Sequence, residues 1–212
     1  MKMFSANKVI GYLVYQTRKA LNENARFKEA VKVYSLHPTC FSGNYFNLWH
    51  YPGTSDEISG VFKQIDKVRM GGKLKFPAIL NFNPIKQVIS ESKHTVYYNL
   101  AFIAPVENDW KTDRRDNEVF EPLLRWVYSE FINQIQKSGI IISYGTPAHT
   151  YHEVFSTDDR DKFLIERYGA YIDAIELHNL TIDMKQLCDN QIQKIYEFDK
   201  LVFKDINELI IN

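Results

Sequence analysis

The spacing of apolar residues changes several times along the chain, and each change marks an element. Val9, Ile10, Leu13, Val14, Ala20 and Leu21 follow a period near 3.6 residues behind Ser5 or Asn7, either of which can cap, so an N-terminal helix is expected. A strand is expected over residues 30–36, stopping at His37-Pro38 because a proline forces the residue before it out of helical backbone. Residues 44–51 alternate, with Phe46, Leu48 and His50 on one face and Tyr45, Asn47, Trp49 and Tyr51 on the other. Pro52-Gly53 then reads as a turn. Residues 61–68 and 74–82 read as two strands joined by a tight hairpin at Met70-Gly71-Gly72-Lys73, since paired glycines accept the positive φ of a type I′ turn. Pro77 places the returning strand at an edge or a bulge.

Residues 95–104 (TVYYNLAFIA) are apolar in both phases, which predicts a central strand covered on two sides and ended by Pro105. Val119, Leu123, Leu124, Val127, Tyr128, Phe131, Ile132 and Ile135 form one broad stripe, the strongest helix signal in the chain. Glu118 and Glu121 suit its positive end, Lys137 its negative end, and Gly139 the position just past it. Pro122 is tolerated only in a first turn, which puts the helix start close before it. Residues 140–144 and 150–155 read as strands around Gly145-Thr146-Pro147. Residues 170–182 read as a long strand bulged near Ala174-Ile175, where the apolar phase slips. The order of elements predicts an α+β fold, a largely antiparallel sheet packed against an N-terminal helix and a long central helix. One domain is expected over residues 1–183, with a C-terminal arm over residues 184–212 that mixes helical and alternating patterns.

Composition narrows the class. The chain has 212 residues, 45% apolar and 25% charged, which is globular rather than disordered. A domain of this length can bury about 70% of its unfolded surface without disulfide or metal. The 26 basic and 26 acidic residues cancel, which argues against a dedicated nucleic-acid binder and leaves little repulsion to oppose self-association. Aromatic residues reach 14%, a content that suits both a core and an interface. Cys40 and Cys188 match no metal spacing and read as reduced thiols. The N-terminal residues do not read as a signal peptide, and no run of about 18 apolar residues predicts a membrane span.

Candidate chemistry is sparse. His149-Thr150-Tyr151-His152-Glu153 has the wrong order for a helical zinc motif, and residues three apart on a strand face opposite ways. Glu91-Ser92-Lys93 has the Glu-x-Lys form of some metal-dependent nucleases, but its neighbours supply no second carboxylate. Asp109, Asp113 and Asp116 could hold a divalent ion, were Arg114 and Arg115 not among them. No phosphate-binding glycine loop and no nucleophile elbow occurs. The expectation is therefore no catalytic site, no cofactor and no metal, with a metal-dependent nuclease or a protein-binding adaptor as the alternatives. Two surfaces carry the functional expectation. Trp110, Asp113, Arg114 and Arg115, in the charged segment of residues 107–118, read as a subunit interface with an aromatic anchor. Lys67, Arg69, Lys73 and Lys75, around Gly71-Gly72, read as a basic finger for local contact with phosphates.

One region carries a family resemblance. The run Tyr-Asn-Leu-Ala-Phe-Ile-Ala at residues 98–104 is followed by Trp-Lys-Thr-Asp-Arg-Arg at 110–115 and Phe-Glu-Pro-Leu-Leu at 120–124. The helix at 128–135 and the strand at 171–182 complete it. Across residues 8–182 this order resembles the tail-terminator and head–tail neck proteins of tailed bacteriophages. The resemblance implies a structural virion protein, assembled in the host cytoplasm, that forms a ring, often a hexamer, against neighbouring neck, portal-adaptor or tail proteins. It also implies that segment 107–118 and the basic residues near Gly71 are contact or lumen elements, with non-specific contact to DNA and no membrane.

Overall fold

The computed structural model describes residues 5–67, 75–90, 93–145, 147–155 and 169–184. Its architecture is the expected α+β one. The main sheet has six strands, β3 (Trp49–Gly53), β4 (Ala78–Ile89), β5 (His94–Val106) and β8 (Tyr171–Met184) in that spatial order, with β6 (Ile141–Tyr144) and β7 (Ala148–His152) both on the far side of β8. Every pairing in it is antiparallel except β3 with β4. A second, two-stranded sheet joins β1 (Phe41–Ser42) to β2 (Tyr45–Phe46).

Strand β5 lies at the centre, and its two apolar phases serve two cores. Val96, Tyr98, Leu100, Phe102 and Ala104 face α1 (Ala6–Glu23) and α5 (Arg125–Lys137), together with Ile175, Leu177, Leu180 and Ile182 of β8. Ala101 and Ile103 face the other way and meet Ile58 and Phe62 of α3 (Ser55–Ile65), with Ala174, Leu80 and Phe155 around them. Among the described residues only one end of the sheet is covered on this second face. Toward the other end, Lys86, Tyr97, Thr181 and Asp183 replace the apolar residues, and none of them is buried. No helix among the described residues is long and apolar enough to cross a membrane.

Where the elements differ from expectation, local chemistry gives the reason. Residues 30–36 are helical turns, not a strand: Asn24 accepts hydrogen bonds from the Arg26 and Phe27 amides to start α2 (Ala25–Ala30), and a 3₁₀ turn at Val31–Val33 follows. The buried residues are Phe27, Val31 and Tyr34, a helical spacing. The alternating run 44–51 splits into β2 and β3, and Gly53 belongs to β3. Residues 61–65 lie in α3, so the expected hairpin has no first strand, and its glycines lie outside the described residues. A capping box opens α3: the Glu57 amide donates to Thr54 Oγ1 at 3.3 Å, and the Thr54 amide donates to Glu57 Oε2 at 2.7 Å. Gly53 adopts φ +151°, and a Cβ there would stand 3.0 Å from Glu57 Oε2, so the cap needs glycine before it. The chain passes from β3 through α3 into β4, the crossover a parallel pair requires.

The central helix starts well before Pro122. It begins with α4 (Thr112–Arg115) and passes through a nine-residue π-helical stretch, Asp116–Leu124, before α5. Pro122 has no N–H to give, and the wider turn accommodates that gap. Gly139 closes the helix at φ +66°, as expected. Pro105 does not end β5; it stands opposite Ile172, one residue before the strand's end. Gly145-Thr146-Pro147 does not reverse the chain, because β6 and β7 run the same way along β8 as one interrupted edge. The bulge in β8 falls at His178-Asn179 rather than Ala174-Ile175: three steps from Leu177 to Leu180 oppose two from Leu100 to Tyr98. Asn179 takes φ +54°, and its amide donates to Asn99 Oδ1 at 2.9 Å. The apparent slip at Ala174-Ile175 arises because both faces are buried there.

Candidate functional site

Segment 107–118 folds inward. Trp110 is 6% exposed and packs edge-on against Tyr34, whose hydroxyl donates to the Pro105 carbonyl. Arg114 lies over the outer face of Trp110 at 4.2 Å and donates to Glu118 at 2.7 Å. Partial burial pushes the Glu118 carboxyl up, but hydrogen bonds from Arg114 and Ser35 outweigh it and hold the group below its ordinary value. Arg115 is buried. Its Nε donates to the Trp110 carbonyl at 2.7 Å, its Nη2 to the Glu107 carbonyl at 3.3 Å, and its Nη1 to Asp173 on β8. Asp173 Oδ1 also accepts from the Val154 amide at 2.9 Å. This buried pair ties the start of the central helix to the sheet and to the end of β7. Trp110 and Arg115 are thus used inside the subunit, and Asp113 and Arg114 are the exposed members of the four expected interface residues.

The basic group is divided as well. Lys75 is 2% exposed, ion-paired to Asp66 at the end of α3, and sits 5.6 Å from the Phe62 ring, so it is not available as a phosphate contact. Lys67 is exposed beside it, while Arg69 and Lys73 lie outside the described residues. Of the Glu-x-Lys pair, Glu91 lies outside the described residues, and Lys93 donates to Asp183 at 2.9 Å. Asp183 also accepts from Thr95 and Ser143, and these hydrogen bonds, led by that from Thr95, hold its carboxyl below the usual range. Asp109, Asp113 and Asp116 do not converge on one point: among the described residues the one group of His, Cys, Asp or Glu that does so is His152, Glu176 and His178.

That group lies on the sheet face that α3 leaves open. Thr150 stands opposite Glu176, and Ala148 opposite His178, so His152, Glu176 and His178 project from one face of the β7–β8 pair. His152 Nε2 is 3.0 Å and His178 Nε2 3.6 Å from the same oxygen, Glu176 Oε2. Thr150 Oγ1 is 3.2 Å from His178 Nε2. His149 takes the opposite face, beside Tyr128, which agrees with the geometry expected for residues three apart. What the sequence reading missed is the partner strand: Glu176-Leu177-His178 is an i, i+2 ligand spacing that only the pairing of β7 with β8 brings to His152.

A few other titratable groups are interior ones. Cys40 is a buried free thiol that desolvation pushes up to about 12, so it is inert as a nucleophile. Cys188 lies outside the described residues. His50 keeps Nε2 buried without a hydrogen-bond partner, and burial pushes its imidazole down to about 4. Since this folded-state value lies below the unfolded value near 6.5, folding excludes a proton. The stability it protects is whole above about pH 6.5 and is lost as pH falls toward 4, by about 3 kcal/mol. Urea unfolding at stepped pH checks this: His50→Gln should flatten the slope in that window, and an unchanged slope would refute the assignment. His94 shifts in the same direction by desolvation and adds to the slope with the same sign.

Comparison of the chain with protein-family models and with curated proteins finds no match in either.

Proposed function

We propose that this chain is a structural virion protein that forms a ring at the neck–tail junction of a tailed bacteriophage, of the tail-terminator or head–tail completion type, acting by subunit assembly without catalysis. The observation that carries the reading is a pair of unlike sheet edges with no strand beyond them among the described residues. Beyond the end of β3, the outer side of β4 faces no strand among the described residues, and Val88 and Ile89 there are 46% and 41% exposed. The β6–β7 edge on the other side exposes Ile142 at 52% and Tyr151 at 44%. Natural sheets blunt such edges with charge and proline, as Lys86 and Pro84 do on β4, but the exposed Val88 and Ile89 beside them, and Ile142 and Tyr151 on the other edge, suit a partner. Two unlike edges suit a head-to-tail contact, in which one subunit's edge meets the other edge of the next and repetition closes a ring.

The element order supports the same reading, with an N-terminal helix, a sheet, a second helix packed on it and further strands. In such a ring Asp113 and Arg114 are the exposed rim of the interface segment, and Lys67 is the described exposed residue for non-specific contact with DNA. Size-exclusion chromatography with light scattering, followed by negative-stain imaging, tests the proposal. A closed multimer is expected, and Ile142→Lys should shift it toward monomer while leaving the melting temperature within a degree or two. A chain that stays monomeric at all concentrations and joins no particle would overturn it.

A further inference from the structure

We infer that His152, Glu176 and His178 form a binding site for a late first-row divalent cation, with zinc the best fit. The inference is independent of ring assembly. Two imidazoles and one carboxylate are a donor set that suits zinc and its neighbours rather than calcium or magnesium, which prefer all-oxygen shells. The three ligand atoms lie within 4.8 Å of one another. Tetrahedral zinc with bonds near 2.1 Å places neighbouring ligand atoms about 3.4 Å apart. The separations from Glu176 Oε2, 3.0 Å to His152 and 3.6 Å to His178, bracket that value.

His152 Nε2 lies within hydrogen-bond reach of Glu176 Oε2, whereas His178 Nε2, 3.6 Å from the same oxygen, instead meets Thr150 Oγ1 at 3.2 Å, a contact that an ion would replace. The backbone is suited to the task. Glu176 and His178 are two apart on β8, His152 is diagonal to Glu176 on β7, and ladder pairing fixes all three Cα positions. The bulge at His178-Asn179 follows immediately, a feature that re-aims side chains near sites. All three side chains are partly exposed, at 32%, 19% and 42%, so an ion can enter from solvent. A fourth position stays open to water or to a donor from another molecule. Bound there, the ion would clip the edge strand β7 to β8.

The test uses the full chain, stripped with a chelator and titrated with zinc by calorimetry and with cobalt by visible absorption. One ion per chain is expected at micromolar affinity or better, with cobalt bands of a nitrogen–oxygen site. His178→Ala and Glu176→Gln should each weaken binding about 100-fold or more, since losing a ligand costs no less than losing a group that orients one. Both positions are part-exposed and Glu176→Gln keeps the side-chain shape, so folding should survive, as circular dichroism would show. His149→Ala, on the opposite face, should bind as the parent does. Zinc should raise the melting temperature of the parent and of His149→Ala but not of His178→Ala. Absence of stoichiometric binding, equal binding by His178→Ala, or a thiolate charge-transfer band pointing to a cysteine would each overturn the assignment.

Discussion

Asp173→Ala should cost about 3–5 kcal/mol of folding stability, the range for breaking one partner of a buried ion pair. Asp173 is fully buried and Arg115 is 2% exposed, so the guanidinium left behind would have no water to replace the carboxylate. The backbone carbonyls of Trp110 and Glu107 would still accept from it but carry no charge, and the remaining carboxylate, Glu153, is 3.9 Å away and 41% exposed. The same substitution strips the Val154 amide of its acceptor. Burial raises the Asp173 carboxyl above its ordinary value against the opposing pull of the Val154 amide and Arg115, which means desolvation outweighs the attraction. A carboxylate raised in this way favours folding most when protonated, and its contribution declines as pH rises through the folded-state value. Arg115→Met with Asp173→Leu should therefore recover most of the loss, because apolar residues of similar volume replace buried pairs at little cost. Urea unfolding of both single variants and the double variant checks this. Additive losses in the double variant would show that the two residues act separately.

That pair also shows where sequence reading stops. The period-3.6 stripe of the central helix and the two-phase strand at residues 95–104 were legible because burial of whole faces writes itself into composition. Asp173 was not legible as the partner of Arg115, since the two are 58 positions apart and only the β5–β8 register joins them. Trp110 reads from the sequence as an interface anchor, but the ring it packs on edge-to-face, Tyr34, lies 76 positions earlier in its own chain. The helix at Ser55–Ile65 had a local signature, Thr54-Ser55-Asp56-Glu57, which the alternation of neighbouring residues obscured. The ligand group at His152 needed a partner strand that no spacing within one segment can reveal.

Phe102→Ala should cost a further 3–5 kcal/mol, roughly the range for deleting a buried aromatic ring, whereas Val88→Ala should stay within about 0.5 kcal/mol. The contrast follows from where each lies on the β4–β5 pair. Phe102 is fully buried and meets Phe131 at 5.3 Å and Tyr128 at 5.8 Å, both edge-on, on the helix that covers the sheet. Removing its ring opens a cavity at the junction of central strand and central helix, where neighbours are fixed by their own backbone and relax little. Val88 is 46% exposed on the outer half of β4, past the last pairing with β3, and has little burial to lose. A cost well under 1 kcal/mol at Phe102 would mean the helix does not seat on β5 as described. Val88 is informative in the opposite way. If Val88→Ala leaves unfolding unchanged but weakens self-association, the outer edge of β4 is a contact surface rather than part of the core. Chemical denaturation measures the first quantity and light scattering the second, so a loss of assembly cannot be mistaken for a loss of fold.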